Sequence, residues 1–224
     1  MEYVPFDWQR SSRFGSPAAG EAVAVFERFQ AVIPKRLAQL QLLVQPPGIA
    51  LDFSGESIDA LQGWFDEYIA TRGSLIKIEF TVDELVALKI RLERELDHPL
   101  EDGAWLLESA FEDESLLPDK VSTGLAEDIG IYLGECVLRH STRIHWAAEI
   151  GGGLLDGLGV TDSIWSDVGP VLAGFKEGPS TPLGRADFIS SLRKYVAQGL
   201  RGKAHPAGYL RHWVNSVLSS AAKP

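Results

Sequence analysis

An α+β fold, mostly helical and organised as a single globular domain over residues 1–224, with a buried central helix at about 122–140 and a small, largely antiparallel sheet, is what the sequence predicts. Three observations point there. The stretch Leu125 to His140, LAEDIGIYLGECVLRH, is apolar nearly all round when wound at about 100° per residue: Leu125, Ile129, Tyr132, Leu133, Cys136 and Val137 fall on one side, and Ile131 and Leu138 lie toward the other. A helix with so little polar face is buried inside a domain. From Arg143 the pattern changes to period two and glycine becomes frequent, at Gly151 to Gly153, Gly157, Gly159, Gly169, Gly174 and Gly178, which reads as short strands between tight turns. The chain has 224 residues, 45% hydrophobic and 23% charged, enough to bury a full core.

Taken in order, residues 1–15 read as an irregular arm. The N-terminal helical part covers about 16–120, and it begins with helical periodicity over 16–44 through Val23, Phe26, Phe29, Val32, Ile33, Leu37 and Leu40, where Pro34 is expected to kink or split the helix. Pro46-Pro47-Gly48 is a stop, and IALDF after it alternates like a short strand. Ser54 to Ser57 opens a helix with Ile58, Leu61, Trp64, Phe65, Tyr68 and Ile69 at three-four spacing. LIKIEF, Leu75 to Phe80, reads as a strand, and Thr81-Val82-Asp83-Glu84 fits a capping box opening a helix to about Asp97. A further short helix is expected over Gly103 to Phe111.

The second part, about 121–224, holds the central helix, the small sheet and the basic C-terminal helices. Gly130 and Gly134 lie inside the central helix, where glycine costs about 1 kcal/mol relative to alanine. Their spacing of four predicts that another backbone packs closely over them. IHWAAEI and PVLAGF are the expected strands of the sheet, with Leu75 to Phe80 a further candidate member. Two helices, about Arg185 to Leu200 and Ala207 to Ser219, close the chain around a Gly202 to Pro206 break.

The net charge is −10. Residues 185–224 carry seven Lys and Arg against Asp187 alone, a net +6, which leaves −16 for the rest. Such a balance disfavours nucleic-acid binding, which needs a basic face. Basic terminal helices lying against an acidic body explain the asymmetry, and a basic anion- or partner-binding tail is the other reading. No apolar run approaches the roughly 18 residues that span a bilayer, and the start MEYVPFDWQRSS has no signal-peptide core, so the expectation is a cytoplasmic protein without membrane attachment. Cys136 is the only cysteine, which excludes an intramolecular disulfide and a thiolate zinc cluster.

Candidate chemistry gathers on the central helix. Asp128, Glu135 and Arg139 form its narrow polar stripe, and Glu135 and Arg139, one turn apart, suit an ion pair. With Asp128 they make an alternative ligand site, but carboxylates seven residues apart are separated by about 10 Å along the axis, too far to share one proton. His140 and His145 bracket a turn, and HWAAE lacks the second histidine of a helical zinc site. His205 and His212 read as solvated. Neither a metal nor a cofactor is expected, no GxSxG elbow is present, and no catalytic residue is assigned. The acidic segment gives the clearest surface signal. Glu93 to Asp119 holds ten carboxylates against Arg94 alone, with Trp105, Leu106, Leu107 and Phe111 threaded through them. Acids with interleaved aromatics suit capture of a basic partner protein through Glu108, Glu112, Asp113 and Glu114, because charge speeds encounter and aromatic anchors supply affinity. A solvated face whose aromatics point inward fits the same pattern.

Two segments, IALDFSGESIDAL (Ile49 to Leu61) and IGIYLGECVLR (Ile129 to Arg139) with Trp146 after it, resemble an uncharacterised bacterial protein family in which an LD-[YF]-S-x-ES segment precedes a Y-L-G-E helix and a tryptophan. Similar segments occur in proteins found near contact-dependent toxin systems. The resemblance covers about a third of the chain, implies an intracellular bacterial protein, and supplies no catalytic residues. The functional expectation is a non-catalytic, immunity-like binding protein whose acidic surface meets a basic partner. An enzyme or small-ligand or metal binder at Asp128, Glu135 and Arg139 is the alternative.

Overall fold

The order of elements follows the sequence pattern, with the helices dominant. The computed structural model describes Tyr3 and residues 19–77, 116–148, 170–175 and 185–221. Within them run α1 (Ala19–Val44), α2 (Gly55–Arg72), β1 (Leu75–Lys77), β2 (Leu116–Pro118), α3 (Lys120–Leu138), β3 (His145–Ala148), β4 (Pro170–Ala173), β5 (Arg185–Ala186), α4 (Phe188–Leu200) and α5 (Tyr209–Ala221). The fold is α+β and mostly helical, as its sequence predicts. The expected helices over Thr81 to Asp97 and Gly103 to Phe111 lie outside the described residues.

α3 is the axis of the core. Leu125, Ala126, Ile129, Ile131, Tyr132, Leu133, Cys136 and Val137 are all buried on it, so the helix is covered from several sides. α4 packs along it most extensively, α1 crosses it on another side, and α2 bears on α4 and α5. Close approach of α4 explains Gly130: a Cβ there would stand 3.0 Å from the Ile189 Cα. Over Gly134 the neighbour is a side chain rather than a backbone, since the Trp146 ring fills the place where a Cβ would be.

Pro34 does not split α1, which continues unbroken from Ala19 to Val44. The proline deprives the Gln30 carbonyl of its helical donor. Both residues are exposed, so water can satisfy that carbonyl, while Phe29, Leu40 and Val44 hold the opposite face in the core. IALDF forms no strand. Its backbone is claimed by side chains: Leu51 N–H donates to Gln41 Oε1 at 2.8 Å, Gln41 Nε2 donates to the Ile49 carbonyl at 3.0 Å, and Phe53 N–H donates to the Tyr132 hydroxyl at 2.9 Å.

Among the described residues the expected sheet is two sheets. β3, β4 and β5 form an antiparallel set in that order, with Trp146 opposite Leu172 and Leu172 opposite Ala186. β1 pairs instead with β2, antiparallel, with Ile76 opposite Leu117, so Leu75 to Lys77 does not join the strands after Arg143. The basic C-terminal helices do lie against acids of the body: Arg193 pairs with Glu127 and Arg211 with Asp59. His205 is half-buried rather than solvated, stacked on Tyr195 with ring centroids 3.6 Å apart, whereas His212 is exposed.

Candidate functional site

α3 begins at a strong cap. The Asp119 carboxylate accepts from Val121 and Ser122 N–H, each at 2.9 Å, and from the Ser122 hydroxyl at 2.7 Å, placing a negative charge at the positive end of the helix. Burial pushes this carboxyl up, but the hydrogen bonds from Ser122, Ser74 and Val121 outweigh it and hold the group below the usual carboxylate range. The cap fixes the rotation of the helix and so decides where its acids point.

Asp128, expected on a polar stripe, points into the core and is 1% exposed. Arg36 from α1 donates to it from Nε and from a terminal nitrogen, both at 2.6 Å, and the Tyr3 hydroxyl donates to it at 2.7 Å. Tyr3 also accepts from Arg36, whose guanidinium lies over its ring. Burial pushes the Asp128 carboxyl up to about 6, against the opposing pull of Arg36 and Tyr3. Burial also works against the Arg36 charge, but its hydrogen bond to Asp128 overcomes that and leaves the guanidinium held more firmly protonated. The neighbouring Glu127, 5% exposed, takes two hydrogen bonds from Arg193 of α4.

Glu135 is engaged elsewhere. It accepts the Trp146 indole N–H at 2.9 Å, locking the ring that covers Gly134. Arg139 makes no ion pair with Glu135; it caps the helix end, exposed, with its guanidinium carbon 3.5 Å from the centre of the Phe53 ring. The structure therefore sends Asp128, Glu135 and Arg139 to three different partners and does not assemble them into one site.

A different juxtaposition does form, between the DFSGES turn and the YLGE helix. Phe53 N–H donates to the Tyr132 hydroxyl, and Tyr132 and Ser57 oxygens lie 2.6 Å apart. Since the single Ser57 hydroxyl proton goes to the Ser54 carbonyl at 2.9 Å, Tyr132 must donate to Ser57. The result is a directed chain from Phe53 through Tyr132 and Ser57 to Ser54, whose own hydroxyl caps α2 by accepting Ser57 N–H. Phe53 sits at φ 66°, a left-handed conformation that is an outlier for an aromatic side chain. Its ring lies 5.0 Å from that of Tyr132. Cys136 is buried beside this chain, and burial pushes its thiol up to about 12 although the Arg139 charge pulls the other way.

The residues that sequence reasoning missed are the partners: Tyr3, Arg36, Glu127, Arg193 and Ser57. An arginine on the buried face of α1 and a second acid beside Asp128 were the available signals, but neither periodicity nor spacing pairs residues so distant in sequence. The acidic surface residues Glu108, Glu112, Asp113 and Glu114 lie outside the described residues. Among the described residues, no group of three or more His, Cys, Asp and Glu is placed to hold a metal ion, and no helix is long and apolar enough to cross a membrane. Comparison of the chain with protein-family models, curated proteins and solved structures finds no match.

Proposed function

We propose that this chain is a non-catalytic protein-binding protein, immunity-like in kind, that presents an acidic surface around Glu108, Glu112, Asp113 and Glu114 to a basic partner. One observation carries the reading: each inward acid of α3 is already engaged, Asp128 by Arg36 and Tyr3, Glu127 by Arg193, and Glu135 by Trp146. Carboxylates held in this way position helices and have little freedom to transfer protons. In the sequence, acids are densest between Glu93 and Glu114, with Trp105 and Phe111 among them.

Charge of that density speeds encounter with a basic surface, such as the nucleic-acid-binding face of a nuclease, and aromatic side chains supply anchoring area. The expected behaviour is tight association that weakens with salt and no turnover. The test is Glu112→Lys, Asp113→Lys, Glu114→Lys in one chain, titrated against the basic protein that co-purifies with the unaltered chain. At low salt the triple variant is expected to bind at least about tenfold more weakly. Equal affinity at low salt would remove this surface from the account.

A further inference from the structure

We infer that the turn closing α3 is a second recognition surface, one that takes an acidic peptide segment of a partner protein with the Arg139 guanidinium as its anchor. The inference rests on residues other than the acidic segment and stands or falls independently of it. Arg139 is exposed, and among the described residues no acceptor is bonded to its guanidinium; its recorded contact is with the face of Phe53. Stacking satisfies the plane of the group and leaves the N–H fork at its edges for acceptors, the arrangement in which arginine grips a carboxylate through two bonds.

The platform beneath it is fixed. Phe53 is held by its N–H bond to Tyr132, by contact with the Tyr132 ring and by a backbone at φ 66°, a conformation that persists only where its surroundings impose it. Asp52, the neighbouring acid, does not pair with Arg139; its carboxylate accepts Ser54 N–H at 3.0 Å, and the Ser54 and Ser57 hydrogen bonds hold it below the usual carboxylate range.

Beyond Arg139 the same turn exposes His140 and Arg143, and His145 at the start of β3 is exposed too. His140 is anchored through Nδ1, 2.7 Å from the Cys136 carbonyl, which leaves Nε2 for a ligand. On a chain of net charge −10 this turn gathers two arginines and two histidines, and the neighbouring acid, Asp52, is turned to Ser54. The helix end argues for carboxylates over phosphate. Phosphate sites use the positive N-terminus of a helix, whereas this is a C-terminus, whose partial negative charge opposes a dianion more than the single charges of a peptide.

The test is fluorescence anisotropy of a short labelled poly-L-glutamate peptide at low salt. The unaltered chain is expected to bind it despite the overall negative charge. Arg139→Gln, an exposed change, should weaken binding about tenfold or more, and Arg139→Lys nearly as much, because an ammonium keeps the charge without the fork. Phe53→Asn, which suits the left-handed backbone but removes the ring, should weaken it with Arg139 still present. No binding by the unaltered chain, equal binding by Arg139→Gln, or tighter binding of polyphosphate than of the peptide overturns the inference.

Discussion

Arg36 grips Asp128 through two hydrogen bonds of 2.6 Å across 92 positions of sequence, and both side chains are almost completely buried, at 5% and 1% exposure. The pair ties α1 to the central helix at one defined rotation, and Tyr3 closes it with a third bond. Such a pair adds little net stability compared with apolar residues of the same shape, but removing one partner strands a charge in the core.

Arg36→Met, which strands the Asp128 carboxyl without its partner, is expected to destabilise the fold by about 3–5 kcal/mol, while Arg36→Met with Asp128→Leu should recover much of that loss. Urea unfolding of the two variants measures it. Arg36→Met within about 1 kcal/mol of the unaltered chain would show that the pair is not buried as described.

A pH dependence follows from the same carboxyl, whose folded value of about 6 lies above its ordinary 3.8. Because the folded state takes up the proton first, this group's contribution to stability is fully present below about pH 3.8 and is lost as pH rises through about 6. Stability of the unaltered chain relative to Asp128→Asn should therefore fall between pH 4 and 6.5 in urea titrations. A rise over that interval would contradict the assignment.

Gly134→Ala is expected to destabilise by about 1–3 kcal/mol, because the added methyl meets the Trp146 ring. Pairing it with Trp146→Leu, which makes room, should cost less than the sum of the two single changes. Glu135→Gln still offers an acceptor to the indole N–H, so thermal unfolding should place it within about 1 kcal/mol of the unaltered chain. A severe loss would mean that the Glu135 charge does more than hold Trp146.

Cys136 should not react with a disulfide reagent in the folded protein at pH 8, since its thiol is buried and pushed up to about 12. Labelling should appear only as urea unfolds the chain. Stoichiometric labelling of the native protein would place the thiol at the surface.

Much of the architecture was legible because it is local. The all-round apolar pattern from Leu125 to Val137 specifies burial wherever the helix lies, and the Ser54 start of α2 is a cap readable from four residues. Gly130 announced a close neighbour, and α4 provides it. The misreadings share one cause. IALDF alternates like a strand, but Gln41 and Tyr132 take its backbone groups, and Leu75 to Lys77 found a partner, Leu116 to Pro118, that no periodicity could nominate.

Legibility was poorer for the candidate site, for a related reason. Asp128, Glu135 and Arg139 do share a helical stripe, yet their roles depend on what approaches: an arginine from α1, a tryptophan from β3 and a phenylalanine ahead of α2. The two segments quoted for the bacterial resemblance meet in space through Phe53, Ser57 and Tyr132. Their pairing ties the turn ahead of α2 and the first turn of α2 to α3, and gives Arg139 its platform.

The measurement that tests the account most directly is native mass spectrometry of the chain purified from the cells that make it, as salt is raised. The account predicts a complex with a basic protein at low salt that dissociates as salt increases. A small ligand or metal of defined mass, retained at high salt with no protein partner at any salt, would contradict it and return attention to Asp128, Glu135 and Arg139.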